Sequence, residues 1–206
     1  MPVQRRAILI AAGLLPVAGF IRTAAAEVEK PVNEKPDPLV LSDFTGTEPY
    51  MLAGAGWRGF SDRVMGGVSD ASFEKASIAG KNCVRLSGRV TRESNGGFIQ
   101  MAMYFGGGRG ELDGSAYAGI ELLVHGNNED YNVHVRTTDC GWYDDSYRYT
   151  FFASDGWQTV RIPWTDFKPN SVKAPLNSAL ITRIAILGWM REFQADIALA
   201  RIALYA

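Results

Sequence analysis

Side chains able to do chemistry are scarce in these 206 residues, which hold two histidines and two cysteines. His125 and His134 lie far from any Cys or acidic pair with zinc spacing. His134 is expected on the outward face of a strand and His125 at a strand end, both as ordinary polar residues. No G-x-S-x-G nucleophile elbow and no phosphate-cradling G-x-x-x-x-G-K occurs. Gly106-Gly107-Gly108-Arg109-Gly110 is glycine-rich but does not register on G-x-G-x-x-G, and no helix start follows it. Asp144-Asp145 follow Trp142-Tyr143. Such a pair suits a calcium ion or a sugar, but calcium takes about six or more oxygens, so a solvated loop is the plainer reading. Asp62 and Glu121 are distant carboxylates that would support a hydrolase only if the fold set them roughly 5 to 9 Å apart in an open cleft. The reading is therefore of no catalytic residues, no cofactor and no metal, and of a protein that binds.

The elements that position these groups read as strands. Tyr131 to Thr137 alternates apolar and polar residues. Val84, Leu86 and Val90 alternate with Arg85, Ser87 and Arg89; Tyr147, Tyr149 and Phe151 share a face; Val160 with Ile162 and Ile197 with Leu199 do likewise. Period-2 alternation places one set on a core and the other on solvent or a ligand face. Ile184 to Leu187 is apolar throughout and is expected to be buried on both faces. Turn signals separate the runs at Asn95-Gly96-Gly97, Gly126-Asn127-Asn128 and Asp155-Gly156, the last predicting a hairpin. The one helical candidate is a turn around Asn177 to Leu180. Roughly ten strands without intervening helices predict an all-β antiparallel sandwich or barrel. Of Trp57, Trp142, Trp157, Trp164 and Trp189, most are expected in the core, whereas Trp142 and Tyr143 form the exposed pair.

The first residues belong to a different regime. Arg5-Arg6 precede an uncharged apolar stretch from Ala7 to Ile21, and Ala24-Ala25-Ala26 offers a cleavage site before Glu27. The stretch contains Pro16 and Gly19 and falls short of the ~20 residues of a bilayer span. Residues 1–26 therefore read as an export signal, twin-arginine or general, with an uncleaved anchor as the alternative. Residues 27–38, with three prolines, read as a flexible tether, and residues 39–206 as one domain. The expected location is periplasmic or secreted. The whole chain has 21 basic and 22 acidic residues. Removing the three signal arginines leaves 18 against 22, a net charge of −4. That balance argues against a nucleic-acid partner. Export permits a disulfide, and for Cys83 and Cys140 a bridge and two separate thiols stay equally open.

The most distinctive stretch is Ser61-Asp62-Arg63-Val64-Met65-Gly66-Gly67-Val68-Ser69. Paired glycines imply positive φ or close packing, and Asp62 beside Arg63 suggests an ion pair or a fixed hydrogen bond to the turn. With Trp57 before it, this run resembles the signature of the complex I intermediate-associated protein 30 family. Leu86-Ser87-Gly88, Asn95-Gly96-Gly97-Phe98, Tyr117-Ala118-Gly119-Ile120, Tyr147-Arg148-Tyr149 and Trp157 through Phe167 follow in the family's order.

The resemblance implies a galactose-binding-like jelly-roll β-sandwich. It also implies a protein-interaction or assembly role, since the mitochondrial members assist assembly of respiratory complex I. It carries a structural or interaction role onto Asp62, Arg63, Met65, Gly66, Gly67, Ser69, Asn95, Gly96, Gly97 and Phe98. The export signal separates this chain from those members, so the expectation is an exported, non-catalytic interaction or assembly-chaperone module whose partners are proteins, membrane-complex subunits or assembly factors among them. A carbohydrate-binding module with a glycan partner is the alternative. The candidate ligand-facing residues are His134, Arg136, Trp142, Tyr143 and Arg148.

Overall fold

The computed structural model describes residues 35–46, 56–105 and 110–206. The signal segment and residues 27–34 of the tether lie outside the described residues, as does the glycine-rich run through Arg109. In chain order the strands are β1 (Leu39–Ser42), β2 (Gly56–Ser61), β3 (Ser72–Ile78), β4 (Lys81–Val90), β5 (Phe98–Tyr104) and β6 (Gly119–His125). They continue with β7 (Glu129–Thr137), β8 (Ser146–Ala153), β9 (Trp157–Pro163), β10 (Lys168–Asn170), β11 (Ile181–Trp189) and β12 (Phe193–Tyr205). One sheet runs β3-β4-β12-β6-β9, with β1 also on β12, and the other runs β10-β8-β7-β11-β5-β2. Every pairing is antiparallel. The chain crosses between the two sheets repeatedly, the jelly-roll arrangement. A 3-10 turn at Ser178–Leu180 occupies the one place where a helical turn was expected.

Alternation in the sequence becomes alternation in space. Leu86, Leu122, Ile162, Ile197 and Ile202 from the first sheet meet Ile99, Met101, Val133, Val135 and Ile184 from the second in one continuous core. On β11 the opposite face is also covered, so Ala185 and Leu187 are buried with Ala102 in a separate small cluster beneath Phe98, Tyr104 and Trp189. A sandwich strand covered on its outer face is unusual, because that face normally meets water.

Asp155-Gly156 does not close a hairpin. β8 pairs with β7 along its length and with β10 at Ser146–Arg148, whereas β9 leaves for the first sheet and pairs with β6. Gln158 replaces the missing ladder locally, taking the Ser154 backbone N–H at 3.2 Å and donating to the Phe152 carbonyl at 2.7 Å. A two-residue hairpin instead joins β3 to β4 through Ala79 and Gly80, both at positive φ. Both cysteines are free thiols; Cys83 is buried on β4, where burial pushes its thiol up.

One hydroxyl ties the sheets together. Tyr131 on β7 is fully buried. Its hydroxyl donates to Asn127 Oδ1 at 2.6 Å and accepts the Asp196 backbone N–H of β12 at 2.8 Å. β4 pairs Asp196 with Ser87 on one edge of β12, and the other edge is open at Asp196 because β6 joins β12 only from Ala198 onward. Burial pushes the phenol up, so it stays a neutral donor. Tyr131→Phe keeps the ring and orphans both partners. The expected loss is about 1–3 kcal/mol by urea denaturation with the fold retained; an unchanged midpoint would show that the hydroxyl is dispensable.

Candidate functional site

The D-R-V-M-G-G-V-S run begins where β2 ends. Asp62–Met65 forms a 3-10 turn, with the Ser61 hydroxyl accepting the Arg63 N–H at 3.4 Å. Gly66 closes it at φ 91, a left-handed conformation that only glycine adopts without strain. Asp62 is 1% exposed, and four donors reach its carboxylate. Oδ1 accepts the Ser69 N–H at 2.9 Å. Oδ2 accepts the Ser69 hydroxyl at 2.6 Å, the Gly97 N–H at 2.6 Å and the Phe98 N–H at 3.2 Å. Burial alone would raise this carboxyl; the hydrogen bonds from Ser69, Gly97 and Phe98 outweigh it and hold the group below the usual range.

Gly67 and Gly96 make room for that carboxylate. A Cβ at either would lie 2.4 Å from its atoms. The two segments singled out by sequence are thus halves of one knot, with Asp62, Ser69, Gly67, Gly96 and Gly97 at its centre. Arg63 turns away, donating to the Ser69 carbonyl at 3.0 Å and pairing with Asp70 at 2.5 Å on the surface.

The knot holds up one wall of a cavity of about 550 Å³ on the outer face of the second sheet. Its floor is Gln100 from β5, Arg183, Leu187 and Trp189 from β11, His134 from β7 and Arg148 from β8. Four loops supply the walls, through Val64 and Met65, Asn95 and Gly96, Tyr143 and Asp144, and Met190. Phe60, Phe98 and Trp189 run across it as an aromatic row, with centroids 6.2 and 5.9 Å apart. His134 stands edge-on to Trp189 at 4.9 Å, and the Arg148 guanidinium lies over the same indole at 4.7 Å. Arg148 is also tied to Asp144 Oδ1 at 2.8 Å and to the Ser146 hydroxyl at 2.8 Å.

His134 therefore differs from the solvent-facing polar residue expected. It does face away from the main core, but the loops cover it to 3% exposure. Burial, and then the charges of Arg148 and Arg183, push its imidazole down to about 2, so it is neutral in the folded protein. His134 Nε2, Gln100 Oε1 and Arg183 Nε are buried and find no partner among the described residues. The three atoms lie beneath the cavity lining, so a ligand bonds to them only when the side chains turn to present them.

Of the other expected ligand-facing residues, Tyr143 reaches the cavity wall, whereas Trp142 and Arg136 do not line it. Arg136 donates to the carbonyls of Cys140, Tyr143 and Asp145, so it braces the loop. Trp142 is exposed beside it. Asp145 is buried rather than solvated and caps that loop by accepting the Trp142 N–H at 2.8 Å. Among the described residues no group of three or more metal-ligating side chains converges. Glu121 lies on β6 of the opposite sheet from the Asp62 knot, bound to Arg161 and Arg201. Sequence reasoning passed over Gln100 and Arg183. Their signal is polarity inside apolar runs: Gln100 alone in Phe98 to Tyr104, and Arg183 beside Thr182 in Ile181 to Trp189.

The two antiparallel sheets define the class: a jelly-roll β-sandwich with the galactose-binding-like fold. The chain belongs to the complex I intermediate-associated protein 30 family, whose model matches residues 42–196. No curated protein sequence matches it. Among solved structures it is similar to the family 11 carbohydrate-binding module of the cellulosomal cellulase Lic26A-Cel5E of Clostridium thermocellum. That match has a TM-score of 0.63 at 14% identity and covers 82% of this chain and 95% of that one. The same module solved with a β-1,3-1,4-mixed-linked tetrasaccharide gives 0.62 at 14% identity over the same shares. A family 30 carbohydrate-binding module gives 0.52 at 15%, covering 84% and 86%. At these identities the likeness is one of fold.

Two measurements test the site. Asp62→Ala strands the Ser69, Gly97 and Phe98 donors and is expected to cost about 3–5 kcal/mol in urea. Gly67→Ala should be comparably harmful and the pair less than additive, because both break one knot; a wild-type midpoint for either would remove the knot as an anchor. For His134 the folded pKa is depressed, so the unfolded chain binds more protons below the ordinary imidazole value. Its contribution is intact above about pH 6.5 and shrinks as pH falls, by about 1.4 kcal/mol at pH 5.5. This loss lies above the carboxylate range in which Asp62 contributes. His134→Gln should flatten the stability profile between pH 7.5 and 5.5; a profile identical to wild type would mean that His134 is not held neutral.

Proposed function

We propose that this protein is a non-catalytic binding module that engages a partner protein through the cleft on its second sheet. The observation that carries the reading is the cleft's composition. Val64 is 67% exposed, Met65 56% and Met190 45%, and all three stand at the mouth of a cavity whose floor holds buried unpartnered polar atoms. Exposed aliphatic and thioether side chains around a polar floor suit a peptide segment, whose apolar side chains pack on the rim while its backbone satisfies the floor. Family membership supports protein partners in the same direction. The export signal read in residues 1–26 supports an encounter in the cell envelope or outside it, after cleavage before Glu27.

A glycan is the second reading. It is favoured by Phe60, Phe98, Trp189 and Tyr143 gathered in one cleft with polar neighbours. It is disfavoured by the Arg148 guanidinium, which already occupies a face of Trp189 where a sugar ring would stack.

Affinity capture from the envelope decides between the two. The tagged chain, with Glu27 as its first residue by N-terminal sequencing, is expected to return specific proteins. A Val64→Asp, Met65→Asp double variant should lose them while keeping its thermal stability. Equal recovery by both forms, or glycan-array binding with no protein recovered, would overturn the proposal.

A further inference from the structure

The outer face of the second sheet carries a charge imbalance that an apolar rim does not explain. Arg58 on β2 and Arg183 on β11 each hold a guanidinium 5.6 Å from the centre of one ring, that of Tyr104. Arg136 on β7 is the strand partner of Arg183. Its guanidinium is held below its usual range, first by burial and then by the Arg183 charge. Arg148 on β8 follows, opposite His134. Among the described residues Arg148 is ion-paired with Asp144 and the Asp145 carboxylate acts on Arg136, while Asp62, which also lines the cavity, is taken up by Ser69, Gly97 and Phe98; Arg58 and Arg183 are left without a carboxylate partner. The other ion pairs of the described residues all lie elsewhere and include none of Arg58, Arg136 and Arg183.

This concentration occurs in a chain with more acidic than basic residues. Like charges brought together repel, and the folded state carries that cost unless a counter-charge arrives. Arg183 joins the two features, since it lines the cavity, touches Tyr104 beyond it and has its buried Nε unpartnered.

We infer that the cleft and its row of arginines receive an acidic segment of the partner protein, with carboxylates on Arg183 and Arg58 and apolar side chains on Val64, Met65 and Tyr143. This rests on the protein-binding reading of the cleft and adds the chemistry of the partner. Charge complementarity argues for the acid. The thioether and aliphatic rim argues for a peptide over a uronic-acid polysaccharide, whose hydroxyls it cannot satisfy.

The test uses the mature chain and fluorescence anisotropy with three ligands: a short labelled peptide of alternating glutamate and leucine, its lysine–leucine counterpart, and labelled polygalacturonate. The glutamate–leucine peptide should bind, and more weakly as salt rises. Arg183→Glu and Arg58→Glu should each weaken it about tenfold or more. Arg58 is exposed, so its variant keeps the test decisive if Arg183→Glu destabilises the fold. Failure of the glutamate–leucine peptide to bind, equal binding of the lysine–leucine peptide, or binding of polygalacturonate alone overturns the inference. So do unchanged affinities in both arginine variants. In that last case, a loss in the Val64→Asp, Met65→Asp variant leaves the protein-binding reading standing and removes only the acidic partner. Peptide binding indifferent to the rim substitutions removes the rim from both.

Discussion

A single buried carboxylate organises the rim of this molecule. Asp62 is charged and almost without exposure, a placement that is destabilising unless hydrogen-bond donors compensate the carboxylate's lone pairs. Here the Ser69 N–H and hydroxyl and the N–H groups of Gly97 and Phe98 use them. Those donors come from two separate loops, and Gly97 lies 35 residues from Asp62 in the chain. Charge-assisted bonds of this kind are short and directional, so they fix the backbone of both loops relative to β2 and β5. Val64 and Met65 sit within the turn that the carboxylate anchors, which is how two exposed apolar side chains can hold one position without a core beneath them.

The opposite wall is built by a different device. Arg136 reaches three carbonyls of the Cys140–Asp145 loop, Asp145 caps that loop, and Arg148 ties Asp144 to the sheet. Both walls are therefore held by ionised groups spent on backbone or on neighbouring loops, and neither depends on packing alone. The cavity between them keeps a fixed mouth, and a ligand meets a floor already in place.

The fold was legible in the sequence because period-2 alternation is a local property. Val84, Leu86 and Val90 point into the core as their spacing requires, and the unbroken run Ile184 to Leu187 is buried on both faces. The Asp155-Gly156 turn was misread for a reason that is not local. A turn dipeptide closes a hairpin only if the second strand pairs back on the first, and β9 finds its partner in β6 of the other sheet. The site was legible by halves. Asp62 to Ser69 and Asn95 to Phe98 each stand out as unusual, but nothing along the chain says that one carboxylate joins them. His134 shows the same limit from the other side. Alternation places it correctly on the outer face, but what covers that face is decided by loops from four other parts of the sequence.

That covering is what turns an ordinary sheet surface into a binding floor. An exposed His, Gln or Arg on a sandwich face is hydrogen-bonded to water and indifferent to its neighbours. Once the loops exclude water, each unpaired polar atom costs free energy, and each cation feels the next through a medium that screens poorly. His134 responds by staying neutral, which avoids adding a third charge between Arg148 and Arg183. The arginines have no such option, because guanidinium does not give up its proton. Their repulsion and the orphaned Nε of Arg183 persist until a ligand brings oxygen atoms and negative charge together. The same burial that makes the empty floor unfavourable makes its filling selective, since a ligand lacking either feature leaves part of the deficit in place.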